Sequence, residues 1–176
     1  MQTNFDAIAP LDEVTEEGTF SAYRIGCGPW QLAVDAQWVT SILDSYTLQP
    51  IPRAPAWLIG CTNVDGILVP VIDLYMLLDP AAARMRGADQ KPHLLLGSHS
   101  PGDNEEAIGL FFTGLPRLLG FSVTASPTNL EAPPLLCQMA RGLALTPDGA
   151  AAFLLDTRHA IEHCISQLDA FNRASA

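Results

Sequence analysis

The chain is short of positive charge. Nine lysines and arginines stand against nineteen aspartates and glutamates in 176 residues, a formal net charge of −10 at pH 7. No basic stripe runs through it, which argues against recognition of a nucleic-acid backbone and against attraction to anionic membranes. Long apolar runs are missing too. The longest, such as Ile67–Ile72, fall far short of the roughly 20 residues that a membrane-spanning helix needs. The N-terminal stretch carries Asp6, Asp12, Glu13, Glu16 and Glu17. It resembles neither a signal peptide nor a transit peptide, so the expected compartment is the cytoplasm. Cys27, Cys61, Cys137 and Cys164 are scattered and never form C-x-x-C. In a reducing compartment they read as small apolar fillers rather than disulfides or metal ligands. The Gly97-Ser98-His99-Ser100 segment is not G-x-S-x-G, and no glycine cluster ends in Lys-Ser or Lys-Thr. Neither a nucleophile elbow nor a phosphate loop follows. The expectation is a protein without catalysis or cofactor.

What the chain has in quantity is apolar side chain. Hydrophobic residues make up 48%, charged residues 16%, and the mean hydropathy is +0.19. Such a surplus calls for two packed cores, or for apolar surface kept for a partner. The length suits one domain or two small intertwined lobes.

Residues 1–18 read as a polar tail. Strands are expected at Phe20–Ile25 and Gln31–Val34, joined by the turn Gly26-Cys27-Gly28-Pro29. Trp38–Leu43 extends the strand or forms a short helix, and Pro50, Pro52 and Pro55 break regular structure. Asp65-Gly66 suits a two-residue hairpin turn, because both positions tolerate positive φ. Ile67–Ile72 then reads as a buried strand, with Pro70 at an edge or bulge because it lacks an N–H. Asp73 is placed to N-cap a short helix over Leu74–Leu78. After a connector over 79–92, strands are expected at His93–Gly97 and Ala107–Phe112, and a Pro-rich loop at 124–134. Gly142–Thr146 and Ala150–Leu155 are strands joined through Pro147-Asp148-Gly149. The last element is a helix over 157–171, with Ile161, Ile165 and Leu168 as its packing face.

The two halves share a plan. The first reads Leu32-Ala33-Val34, Ala54-Pro55-x-x-Leu58, Asp65-Gly66, an apolar strand and Asp73. The second reads Gly109-Leu110-Phe111, Ala132-Pro133-x-Leu135, Asp148-Gly149, an apolar strand and Asp156. An ordered set of matches of this kind marks an internal repeat. The expected architecture is mainly β: two small, intertwined five-stranded barrels with short helices and a C-terminal helix. The domain would span 19–172, with pseudo-repeats at about 20–78 and 93–156 and the helix at about 157–171. Gly60, Pro70, Asp73, Asp148, Gly149 and Asp156 are its structural markers.

One segment invites an enzymatic alternative. His159-Ala160-Ile161-Glu162-His163 matches H-x-x-E-H, whose i, i+4 histidines share a helical face and can hold zinc in a small hydrolase. Against that, only 13 residues follow His163, too few to bring a third ligand. An exposed polar face of a terminal helix is the better reading. His163 and Cys164 are adjacent, and neighbours on a helix point about 100° apart, so they form no dyad. Trp30, Trp38 and Trp57 fit either core packing or a partner platform.

The stretch Ala54-Pro55-x-x-Leu58-Ile59-Gly60-x-x-Asn63-Val64-Asp65-Gly66-Ile67-Leu68-Val69-Pro70-Val71-Ile72-Asp73-Leu74 resembles the signature of CheW-like domains. Phe20-x-x-Tyr23-Arg24-Ile25-Gly26 and Trp30–Val34 resemble that family's opening hairpin. The resemblance spans about residues 20–170, is strongest through residue 78, and implies SH3-like barrels. It further implies an adaptor between methyl-accepting chemoreceptor tips and a CheA-type histidine kinase in a bacterial chemosensory or motility pathway, type IV pilus motility included. The hairpin Asn63, Val64, Asp65 and Gly66 is then the candidate partner contact. The family's arginine before the glycine is Asp65 here, and its Val-Asp pair late in a second-lobe strand is Phe112-Thr113. A degenerate scaffold with other signalling partners is the corresponding alternative.

Overall fold

A computed structural model of the chain describes residues 19–81, 92–98, 107–124 and 132–174. The expected N-terminal tail, most of the connector after Pro80 and the polar loop before Ala107 lie outside these residues. Nine strands and three helices follow one another in this part of the chain.

β1 (Thr19–Cys27) and β2 (Trp30–Asp35) form the first hairpin. β2 then runs parallel to β9 (Ala151–Leu155), with Leu32 opposite Phe153. β9 pairs with β8 (Ala140–Leu145), β8 with the end of β7 (Ala107–Thr124), and β7 returns to β1. These contacts close barrel one.

Barrel two joins β4 (Leu58–Val64) to β5 (Ile67–Asp73), β5 to the start of β7 in parallel, β7 to β6 (Pro92–Ser98) and β6 to β3 (Val39–Leu43). Its last gap is closed just after β3, where Gln49 and Cys61 exchange two backbone hydrogen bonds of 2.8 Å. Each barrel therefore takes one hairpin from each half of the sequence, and β7 serves both.

Side-chain alternation sorts the apolar residues into three clusters. Ala22, Ala33, Phe121, Ala144, Ala152 and Leu154 fill barrel one, where small residues suit a narrow lumen. Val69, Val71, Leu94 and Leu96 fill barrel two. The alternate residues of the same strands, among them Leu32, Val34, Ile72, Leu95, Leu110, Phe112, Phe153 and Leu155, form a third core shared with the helices. Strands buried on both faces account for much of the apolar surplus.

The barrels are also latched by aromatic rings seated on glycines. Tyr75 of α1 (Leu74–Leu78) lies over the β1–β2 turn, where a Cβ on Gly28 would stand 2.3 Å from the ring. Trp30 meets the same ring edge-on at 5.9 Å. Trp38 lies over Gly97, leaving no room for a Cβ there. All three tryptophans are half-buried against the shared core.

The matched motifs of the two halves occupy matching places. The N–H of Asp73 donates to the Trp57 carbonyl and that of Asp156 to the Met139 carbonyl, each at 2.8 Å. A register shift follows the first residue of β4 and of β8. Two details differ from the sequence alignment. Val71 and Leu154 are the equivalent residues, and they face Gly109 and Ala33, so the equivalent of Gly109 is Ala33 rather than Leu32. Leu135, aligned with Leu58, lies in α2 (Pro134–Met139), a helix that occupies the end of the expected Pro-rich loop. Proline is at home in the first turn of a helix, where its missing N–H has no partner to lose.

α3 (Thr157–Ala174) buries Thr157, Ala160, Ile161 and Cys164. The expected stripe through Ile165 is corrected: Ile165 is 52% exposed. At about 100° per residue it stands roughly a quarter turn from the middle of the buried stripe. Ile161→Ala is expected to cost about 2–5 kcal/mol, and Ile165→Ala no more than about 0.5 kcal/mol. Thermal denaturation of the two variants checks this; equal shifts would contradict the observed helix face.

Candidate docking surface

The β4–β5 hairpin ends in a two-residue turn with Asp65 at φ 52° and Gly66 at φ 88°. Positive φ at both central residues is the type I′ arrangement, whose twist matches that of the flanking strands. The Asn63 side-chain oxygen accepts a 2.9 Å hydrogen bond from the Gly66 N–H and so stiffens the tip. Asn63, Asp65 and Gly66 are exposed, and Val64 is half-buried. Opposite Asn63 stands Leu68, 63% exposed. Leu68 departs from the buried strand expected over Ile67–Ile72: the period-2 alternation that sends Val69 and Val71 inward sends Leu68 out. The tip thus presents a carboxylate, an amide and a large apolar side chain in a rigid frame.

The other marker residues support this frame. Gly60 is a buried bulge residue with φ 152°, and a Cβ on it would lie 2.5 Å from the Gln49 carbonyl oxygen. Pro70 sits on an interior strand, yet β5 has only β4 beside it there, because the parallel pairing to β7 begins at Val71. The missing N–H is tolerated at what is locally an edge. Asp73 is buried and N-caps α1, accepting from the Met76 N–H at 3.2 Å.

The second hairpin is built differently. The Gly149 N–H donates to the Thr146 carbonyl, and Gly149 takes φ 81°, as in a three-residue loop with a glycine bulge. The Thr146 hydroxyl bonds the Asp148 carboxylate, and this bond is the largest influence holding the Asp148 carboxyl below its usual range.

Asp156 caps α3 by accepting from the His159 N–H at 3.0 Å and pairs with Arg141 at 3.0 Å. Burial would raise its carboxyl, but the Arg141 and His159 contacts outweigh burial and hold it below the usual range. A lowered native value stabilises the fold above the unfolded carboxyl value of about 3.9, and that stability is lost as pH falls below it. Asp156→Ala is expected to cost about 1–2 kcal/mol through the lost cap, since the exposed ion pair adds little. Asp156→Asn keeps the cap and should remove only the acid-side dependence. Melting curves between pH 3 and 7 separate the two effects.

The H-x-x-E-H residues do not assemble a site. His159 and Glu162 are exposed and His163 is half-buried. No group of three metal-ligating side chains occurs among the described residues. Cys27 and Cys164 are buried, and burial pushes both thiols up to about 12, far from a reactive thiolate at neutral pH. The crevice under α3, lined by Trp38, Ile72, Leu155, Ile161 and Cys164 among others, is apolar and too narrow for a water molecule. Among the described residues no helix is long and apolar enough to cross a membrane. What the surface offers is shape and isolated apolar points: Leu68, Leu115, Val123, Ile165 and Ile51.

Known proteins resemble this arrangement. The CheW-like domain family model matches residues 23–164. Protein FrzA of Myxococcus xanthus is 33% identical over 69 residues, which cover 39% of this chain and 42% of that protein. The aligned part is thus less than half the length of that curated relative. The crystal structure of the scaffolding protein TtCheW from Thermoanaerobacter tengcongensis superposes with a TM-score of 0.62 at 15% identity, covering 82% of this chain and 89% of that one. With the signature through Asp73-Leu74 and the two interlocked barrels, the match over residues 23–164 settles the family: the chain belongs to the CheW-like domain family.

Proposed function

We propose that the protein is a non-catalytic cytoplasmic adaptor that couples methyl-accepting chemoreceptor tips to a CheA-type histidine kinase in a bacterial chemosensory pathway. The family match over residues 23–164 carries this reading. The construction supports it: rigid interlocked barrels, an exposed stiffened hairpin at Asn63–Gly66, and apolar points set in polar surface. Docking of this kind needs preorganised complementary surface and no chemistry. The test is co-purification of the tagged full chain from its source cells, followed by identification of the captured proteins. A histidine kinase together with receptors supports the adaptor. Capture of receptors without any kinase would favour the degenerate scaffold, the reading that Asp65 keeps open.

A further inference from the structure

In the sheet of barrel one, β1 and β7 set Arg24 directly opposite Arg117. Like charges facing one another across an antiparallel pair destabilise the sheet. The arrangement is costly in a chain with only nine lysines and arginines. Arg117 is exposed and Arg24 half-buried. Among the described residues neither side chain takes part in a hydrogen bond or ion pair, whereas that of Arg141 holds Asp156. Asp148 feels Arg24 only as the weakest of several influences and spends its carboxylate on Thr146.

Beside the two arginines the strand register breaks. Arg24 faces Arg117 and Gly26 faces Thr113, so Gly114, Leu115 and Pro116 form a bulge on β7. Gly114 takes φ 87°, and Leu115 is 80% exposed, the highest among the large apolar side chains of the described residues. Bulges re-aim side chains and are kept where that serves a purpose. A local rule broken without compensation among the described residues points to a functional surface.

We propose that Arg24 and Arg117 form a clamp for the carboxylates of an acidic segment of a partner protein, with Leu115 receiving an apolar side chain of the same segment. Paired guanidiniums at cross-strand spacing suit carboxylates, which they bind bidentately. Binding also relieves their mutual repulsion. An extended nucleic acid would leave the exposed Leu115 without use. The clamp goes beyond the kinase-coupling reading and does not depend on it.

The test uses the full chain and a fluorescein-labelled peptide repeating Glu-Glu-Leu, read by anisotropy at low and moderate salt. Wild type is expected to bind, more weakly as salt rises. Arg24→Gln and Arg117→Gln should each weaken binding by roughly fivefold or more. Without peptide, Arg117→Gln should melt about 1–2 °C higher at low salt, because the repulsion is gone. A purely structural arginine would not give opposite effects on binding and stability. Absence of binding by wild type, or binding by both variants as tight as that of wild type, would overturn the proposal. So would equal displacement of the peptide by pyrophosphate, which would indicate a plain anion site. Binding seen only after Asp6, Asp12, Glu13, Glu16 and Glu17 are neutralised would overturn it in favour of the chain's own N-terminal segment as occupant.

Discussion

Gly60→Ala is expected to open barrel two. The barrel is closed by reciprocal hydrogen bonds between Gln49 and Cys61, and Gly60 stands beside that seam. A Cβ at residue 60 would meet the Gln49 carbonyl oxygen at 2.5 Å and the Leu48 side chain at 3.0 Å. The first is backbone and cannot swing aside as a flexible side chain would. The backbone at φ 152° adds strain for any residue with a Cβ. Overpacking and backbone strain each cost about 1–3 kcal/mol, so the combined loss is about 3–5 kcal/mol. For a chain of this size that lowers the melting temperature by about 10 °C. Gly66→Ala is the control: Gly66 also has positive φ, but nothing lies within 4 Å of its missing Cβ. It should cost only the backbone term of about 1–2 kcal/mol. Equal losses in calorimetry of the two variants would show that the seam at Gln49 does not hold the barrel closed.

Under the proposed adaptor function, Asp65→Arg is expected to leave the fold largely intact and to weaken kinase binding about tenfold or more. At φ 52° aspartate is among the residues that tolerate the left-handed region, and arginine is penalised there by about 1–2 kcal/mol. The frame survives, because Asn63 still accepts from the Gly66 N–H. The surface changes more, since the swap reverses the sign of an exposed charge at the tip. Desolvated charge pairs at an interface are worth about 2–5 kcal/mol, and rim charges act on association rate and salt dependence. A kinase matched to this chain would present a basic residue opposite Asp65. Titration calorimetry of both variants against the cognate kinase domain, at low and moderate salt, reads the effect. Identical affinities with identical salt dependence would remove the hairpin from the coupling surface while leaving adaptor function to other faces.

Features with local chemistry were legible in the sequence. The Asp65-Gly66 turn announces itself because two consecutive positive φ values demand particular residues, and both adopt them. The caps at Asp73 and Asp156 were legible for the same reason: a short carboxylate before an apolar run satisfies helix N–H groups. Features set by distant pairing were not. The strand expected to end at Phe112 runs on as β7 through Gly114, Pro116 and Gly120 to Thr124 and passes from one barrel into the other. α2 was hidden by Pro133-Pro134, which read as loop although one of them opens the helix. Ile165 shows how a spacing of i, i+4 can step off the buried side of a helix when the first residue already lies at the edge of the buried stripe. The opposition of Arg24 and Arg117 depends on strand register between remote segments, which no local pattern encodes.

The exchange of hairpins between the barrels sets an order on synthesis. β2 emerges early but needs β9, whose Phe153 meets Leu32 only after nearly the whole chain has been made. Barrel two takes no strand from beyond the first part of β7, so its strands can close first. Until the last hairpin leaves the ribosome, the β1–β2 pair holds one apolar face without its partner strand. Such nascent surface is where non-local β topologies fold slowly and aggregate. Chains cut short before Ala140 would therefore carry a finished barrel beside an unfinished one, and belong to the quality-control machinery rather than to the signalling assembly.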